Sequence, residues 1–289
     1  MTDYIIRATG SNGMIRAFVA TTQNLVNEAA GIHKTSAVAS AALGRTLTAA
    51  SIMGLNSLGN DGSILTISIK GDGPLGGVLA VADGTGQVRG YVHNTIVDVP
   101  DRADGKLNVG AAVGQGQMTI AMDLGLKGTY TGTTELVSGE IAEDIAHYYM
   151  TSEQTPSIVS LGVLVDCDLS IKSAGGFFLQ LMPGYDDALI DKLEAHMANF
   201  PAISKLLEQE KTPEDILEML LSGFGYEVTG KHEVGFKCNC SADRVKRALM
   251  TIGHEEIQKI IDEIGKAEMN CHFCNKQYLF EKNELESLL

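Results

Sequence analysis

Cys238-Asn239-Cys240 and Cys271-His272-Phe273-Cys274 are two close cysteine pairs separated by 30 residues. Two such pairs from separate chain segments can set four sulfurs tetrahedrally round one Zn²⁺, at about 2.3 Å each. The chain has five cysteines, and four of them fall in this stretch. In a reducing compartment such a cluster reads as a metal or redox site rather than a disulfide framework. The flanks are polar, which argues against four metal-free core cysteines. Cys238, Cys240, Cys271 and Cys274 are therefore assigned as the ligands of one Zn²⁺ per reduced chain. His272 is a fifth candidate donor, but four thiolates already close a structural site. Cys167 falls in a predicted strand at 163–168, where a lone cysteine is expected to be a packing residue.

The Cys-x-Cys pair is unusual. Structural zinc sites use wider spacings, and a disulfide across one intervening residue closes a tight, readily reduced ring. That suits a switch better than a staple. Zinc keeps the sulfurs as thiolates, the form that peroxide attacks. Their oxidation would remove ligands, release the metal and withdraw folding free energy from the module built round it.

The elements that must position these residues follow from pattern. Residues 3–9 and 14–21 read as a hairpin turned by Gly10-Ser11-Asn12-Gly13. Helices are expected at 23–33 and 36–55, the second rich in Ala, Ser and Gly and so suited to close packing on a sheet. Strands follow at 64–69, 78–81, 88–92, 118–122 and 131–137, then a helix near 140–150 and strands at 159–165 and 176–181. Residues 1–183 thus form an α+β domain. Three short amphipathic helices, 185–199, 202–209 and 213–221, are broken by Pro201 and Pro213, with Thr212 and Asp215 as a capping box. Helices this short are marginal alone, so 184–231 reads either as a plain interdomain linker or as a segment whose folding is conditional on docking. Its apolar stripes, Leu189, Ile190, Leu193 and Met197, then Ile203, Leu206 and Leu207, then Ile216, Leu217, Leu220 and Leu221, should lie against the N-terminal β surface. Residues 232–289, with helices at 242–251 and 255–264 between the cysteine pairs, form a module too small to fold on its core alone without the metal.

Bulk properties exclude other classes. The 289-residue chain carries 22 basic and 36 acidic residues, a formal net charge of −14. Residues 238–289 hold seven Lys/Arg against nine Asp/Glu, and 184–237 hold five against eleven, so no basic patch invites nucleic acid. The acidic balance also disfavours anionic membranes. The start, Met1-Thr2-Asp3-Tyr4, lacks a secretory pattern, and no run of 18 apolar residues occurs, which places the chain in the cytosol. The run Gly71-Asp72-Gly73-Pro74-Leu75-Gly76-Gly77 matches neither phosphate-loop nor dinucleotide spacing and reads as turn glycines. His33, His93 and His147 make no recognisable triad with a nucleophile, so no catalytic residue is assigned and an enzyme is not expected.

The two cysteine motifs, with Ala41-Ala42-Leu43-Gly44-Arg45-Thr46, Gly71 to Gly76, Gly175-Gly176-Phe177 and Gln180-Leu181-Met182-Pro183-Gly184, resemble the heat-shock protein 33 family, the redox-regulated bacterial chaperones. The likeness spans essentially the whole chain. It implies an α+β core domain at 1–183, a redox-sensitive helical linker at 184–231 and a zinc-binding redox-switch domain at 232–289. It also implies a chaperone that is weak while reduced and zinc-bound. Oxidants with unfolding stress would form Cys238–Cys240 and Cys271–Cys274 disulfides, release zinc and open the linker. The activated form, a homodimer, would hold unfolding client proteins without ATP and pass them to ATP-dependent foldases.

Overall fold

The computed structural model describes residues 2–59, 62–125 and 128–289. β1 (Tyr4–Gly10) and β2 (Ile15–Thr21) form the expected hairpin, and its turn places Ser11, Asn12 and Gly13 at positive φ. Then come α1 (Gln23–His33), α2 (Ala37–Ser57), β3 (Ile64–Gly71), β4 (Val78–Asp83), β5 (Val88–Val92) and α3 (Val109–Val113). β6 (Gly116–Asp123), β7 (Tyr130–Glu135), α4 (Ala142–Thr151), β8 (Ser157–Val165) and β9 (Ile171–Leu181) follow. The remaining elements are α5 (Asp187–Met197), α6 (Ile203–Glu208), α7 (Pro213–Leu220), β10 (Tyr226–Glu233), α8 (Ala242–Met250), α9 (His254–Glu263), β11 (Lys266–Asn270), β12 (Gln277–Glu281) and α10 (Lys282–Glu286). The α+β class is as expected.

The chain divides into two compact units, 1–236 and 237–289. The first contains two five-stranded sheets whose strand pairs are all antiparallel, in the orders β10-β1-β2-β9-β8 and β5-β4-β3-β6-β7. Both put an apolar face on the same core, which encloses α2. In β3, Leu65, Ile67 and Ile69 point into that core, and the residues between them are half-buried. That one-sided burial is why the period-2 pattern of the second sheet was so legible.

Small residues let α2 sit this close. A Cβ on Gly44 would lie 2.6 Å from Val26 Cγ1 and 2.9 Å from Val163 Cγ2, so the helix meets α1 and β8 where only glycine fits. By length and composition α2 could cross a membrane, but 89% of its most apolar window is buried inside this fold. It is a core helix.

The first sheet is apolar on its other face too. Ile6, Ala8, Ile15, Ala17, Val19, Phe177, Leu179 and Leu181 form that face, and α5, α6 and α7 cover it. Leu189, Leu193, Ile203, Leu206, Leu207, Ile216, Leu217, Leu220 and Leu221 are all buried there, while Ile190 and Met197 pack at the margin. The expected docking of the stripes is thus the observed packing. Gly162 helps, because a Cβ there would stand 3.0 Å from Ile203. Thr212 and Asp215 cap α7 as a capping box with Pro213 in the first turn. Each fully buried aliphatic side chain is worth about 1.5–3 kcal/mol, and without this face the three helices would be marginal.

Polar contacts pin the cover at its edge. The Tyr4 hydroxyl donates to Glu214 at 2.5 Å and Lys231 Nζ donates to the same carboxylate at 2.9 Å. Burial opposes ionisation of Glu214, but these two bonds prevail and hold its carboxyl below the ordinary value. A depressed pKa means the contact is complete at neutral pH and fades as the pH falls through that value.

One strand was not foreseen, and one expectation needs correction. The unforeseen strand is β10, at Tyr226–Glu233. It is hydrogen-bonded along β1, so the compact unit ends at Phe236. Its residues are almost all exposed, as befits an edge strand, so it has no apolar alternation to reveal it. Cys167 is exposed in a turn, not packed in a strand. Asp166 and Asp168 accept bonds from the backbone N–H groups of Cys167 and Ser170, and this local bonding ends β8.

Leu217 is 1% exposed under the cover. Leu217→Ala should lower unfolding free energy by about 2–5 kcal/mol, measured by urea denaturation. The loss of hydrogen-exchange protection should concentrate in α5–α7 rather than in β3–β6.

Candidate metal centre

The second unit has a thin core: Leu249, Ile257, Ile261, Ala267, Tyr278, Phe280 and Leu285 are buried, with Cys240 and Cys271 packed at its edge. The α8 and α9 helices carry one apolar side each, and β11 pairs antiparallel with β12 from Lys266↔Glu281 to Asn270↔Gln277.

Two local structures present the sulfurs. Cys238 and Cys240 lie in an irregular stretch just before α8. Ser241 caps that helix by accepting from Arg244 N–H at 3.2 Å, and Arg244 reaches back to donate to Asn239 O at 3.1 Å. Cys271 and Cys274 lie in the tight turn between β11 and β12. Asn275 N–H donates to Cys271 O at 2.8 Å and Cys271 N–H donates to Lys276 O at 3.0 Å, with Asn275 at φ 56°. The turn closes on itself and aims both sulfurs the same way.

All four Sγ atoms lie within 4.8 Å of one another. Cys238 Sγ is 3.7 Å from Cys271 Sγ, and Cys240 Sγ is 3.4 Å from Cys274 Sγ. Four sulfurs at about 2.3 Å from a common ion would form a tetrahedron with edges of about 3.8 Å. The donor set and its spacing fit a metal ion, and all four cysteines are free thiols. The cluster comprises these four cysteines and does not include His272 or Cys167.

The site's electrostatics are uneven. Burial, then hydrogen bonding among the sulfurs, pushes the Cys238 thiol well up, and burial also raises Cys274. Burial works against the Cys240 thiolate as well, but bonds from Tyr278 and the neighbouring thiols bring it down to about 7. Tyr278 Oη donates to Cys240 Sγ at 3.0 Å. This residue was missed from sequence. Its only signal was its place in β12, beyond the second cysteine pair on the strand that carries it.

The family model for the Hsp33 protein matches residues 3–281. The chain belongs to the heat-shock protein 33 family. It is 52% identical over 290 residues to the 33 kDa chaperonin of Clostridioides difficile strain 630, covering 100% of this chain and 99% of that one. The 33 kDa chaperonin of Acetivibrio thermocellus is 49% identical over 289 residues, with 100% of this chain and 97% of the relative covered. Among solved structures, the 33 kDa chaperonin (heat shock protein 33 homolog) of Thermotoga maritima superposes with a TM-score of 0.91 at 36% identity, covering 100% of this chain and 98% of that one. Heat-shock protein 33 is a chaperone family, not an enzyme class. In the glycine run, Gly73 N–H donates to Val113 O and Leu75 N–H to Ala112 O, both backbone carbonyls of α3.

A hydroxyl donating to a ligating sulfur orients it and tunes its basicity. Tyr278→Phe should weaken thiophilic metal binding by about tenfold, within the range for partners of metal ligands. A chelator-competition titration would read this, with circular dichroism showing that the variant is folded when loaded.

Proposed function

We propose that the protein is a redox-regulated, ATP-independent holdase that is held off while reduced and zinc-bound. The observation that carries this reading is the covered face of the first sheet. A large apolar surface is hidden only by three short helices, 187–220, that cannot hold their shape without it. Membership of a chaperone family and the convergence of four sulfurs support it.

Zn²⁺ held by Cys238, Cys240, Cys271 and Cys274 would supply the folding free energy that the thin core of 237–289 lacks. The oxidant is a peroxide. Each disulfide, Cys238–Cys240 and Cys271–Cys274, takes two electrons from two sulfurs and reduces one peroxide O–O bond. Oxidation of both pairs removes every metal ligand, and the C-terminal unit loses the free energy that kept it folded. In this reading 184–231 is the redox-sensitive linker and 232–289 the switch domain. Opening the linker exposes its apolar stripes and the sheet face beneath them, and surfaces of that size bind other chains. The clients are unfolding proteins. The activated form is a homodimer in the cytoplasm, and reduction returns clients to ATP-dependent foldases.

Suppression of aggregation of a thermally unfolding protein should rise on peroxide treatment and fall again with dithiothreitol. Equal activity in reduced and oxidised samples would sink the redox reading. Reduced wild-type protein should contain one Zn²⁺ per chain, and Cys271→Ser with Cys274→Ser should contain little. Full occupancy in that double variant would remove the metal assignment. Leu193→Asp with Leu206→Asp places charge in the covered face, where both leucines are 3% exposed. The folded, zinc-bound variant should suppress aggregation without oxidant, and if it stays as inactive as the reduced parent, the cover is not what holds the activity off.

A further inference from the structure

α6 docks where the first sheet has its smallest side chains. On β8 a Cβ at Gly162 would stand 3.0 Å from Ile203 Cγ2, and on β9 a Cβ at Gly175 would stand 3.1 Å from Leu207 Cδ1. Ser173 comes two residues before Gly175 on β9, so its side chain is on the same side of the sheet, under the cover. Across the ladder it pairs with Leu164 of β8. It borders one cavity with Leu207 and Glu208, at the end of α6. Ile203, Leu206 and Leu207 of that helix are buried, and Ser173 is only 6% exposed.

The hydroxyl gains nothing from this burial. Ser173 Oγ is closed off from solvent, the bordering cavity included, and has no hydrogen-bond partner. Other serines of the same domain find one: Ser51 Oγ donates to Gly86 O at 2.5 Å, and Ser157 Oγ to Thr155 O at 3.0 Å. Beside Ser173, Lys172 ties β9 to Glu208 of α6 at 3.0 Å, but that pair is about half exposed at both ends. Exposed pairs contribute little, so the tie does not offset what the hydroxyl loses.

A buried hydroxyl without a partner costs the hydration it gave up. Here the cost exists only while α6 is docked. When α6 lifts, water reaches Ser173 and the cost is gone. The α2 core is untouched by this, because Ser173 faces the other way. We propose that Ser173 is an opening bias built into the sheet: its sealed hydroxyl opposes the docking of α6 and so sets how readily the cover is released. The proposal rests on the reading above, in which the cover hides the face that binds clients. Burial of the α6 side chains favours closing, Ser173 favours opening, and the oxidant dose needed for activation follows their balance.

Alanine fills nearly the same space and removes only the hydroxyl, so the test is Ser173→Ala in the full, reduced, metal-loaded chain. Native-state hydrogen exchange reads the opening of α6 directly. Amides of residues 203–208 should exchange at least about fivefold more slowly than in the parent, the low end of the range for an unpaired buried hydroxyl. The peroxide dose for half-maximal suppression of aggregation should rise in the same variant. If the α6 amides exchange as fast as in the parent, or faster, the bias is overturned, even in a variant more stable to urea, because the cost then lies outside the cover. Slower exchange in α6 with an unchanged peroxide dose overturns the role in setting the threshold. The exchange measurement needs no chaperone activity. A parent that does not respond to peroxide would therefore refute the redox reading, while the α6 amides still decide the case for Ser173.

Discussion

The first sheet has two apolar faces, and water can be left on neither. Its inner strand β9 is buried along nearly its whole length, with Phe178 turned to the α2 core and Phe177 to the helical cover. A strand buried on both sides commits the chain to a layer above and a layer below. The layer on one side is α1 and α2, which are followed directly by the second sheet and are locked in by small-residue contacts. The layer on the other side is α5–α7, short and interrupted by prolines, with little beyond side-chain burial to keep it in place.

That asymmetry gives the fold a soft side. The α2 layer shares one continuous core with both sheets, so it opens only if the domain unfolds. The cover shares its core with one face of one sheet, and its ties at the rim are solvent-accessible ones, such as Lys172–Glu208 at 3.0 Å and Lys231–Glu214 at 2.9 Å. Exposed pairs of this kind contribute little. Segments with such limited support are the ones expected to open below the global unfolding free energy. The C-terminal unit is soft for a different reason. Seven buried side chains are a small core for residues 237–289, and four thiols standing within 4.8 Å of one another are its most concentrated interaction. A metal there stabilises by binding, and the same sulfurs are the ones an oxidant would take.

Much of this was legible in the sequence because it depends on residue type and local spacing. The four cysteines are defined by side-chain chemistry and by two short intervals, and no fold is needed to see that they suit a soft metal. The hairpin of β1 and β2, the strands of the second sheet and the helices α5–α7 follow from turn residues, alternation and the Thr212–Asp215 cap, all interactions within a few residues. Apart from the turn at Cys167, which Asp166 and Asp168 make locally, what escaped was decided between distant segments. β10 has no apolar period because it is held by backbone bonds to β1, more than two hundred residues away in the chain. Cys167 left its strand because two aspartates offered the backbone a turn. Tyr278 meets Cys240 only because β12 folds back across the unit, and Ser173 is sealed only because α6 docks on its side of the sheet. Sequence determined which groups could do chemistry and which faces had to be covered, since both are properties of side chains and their period. Only the tertiary structure decided which partners those groups meet, because strand register and edge pairing are set by long-range backbone bonding that leaves no periodic trace in the chain.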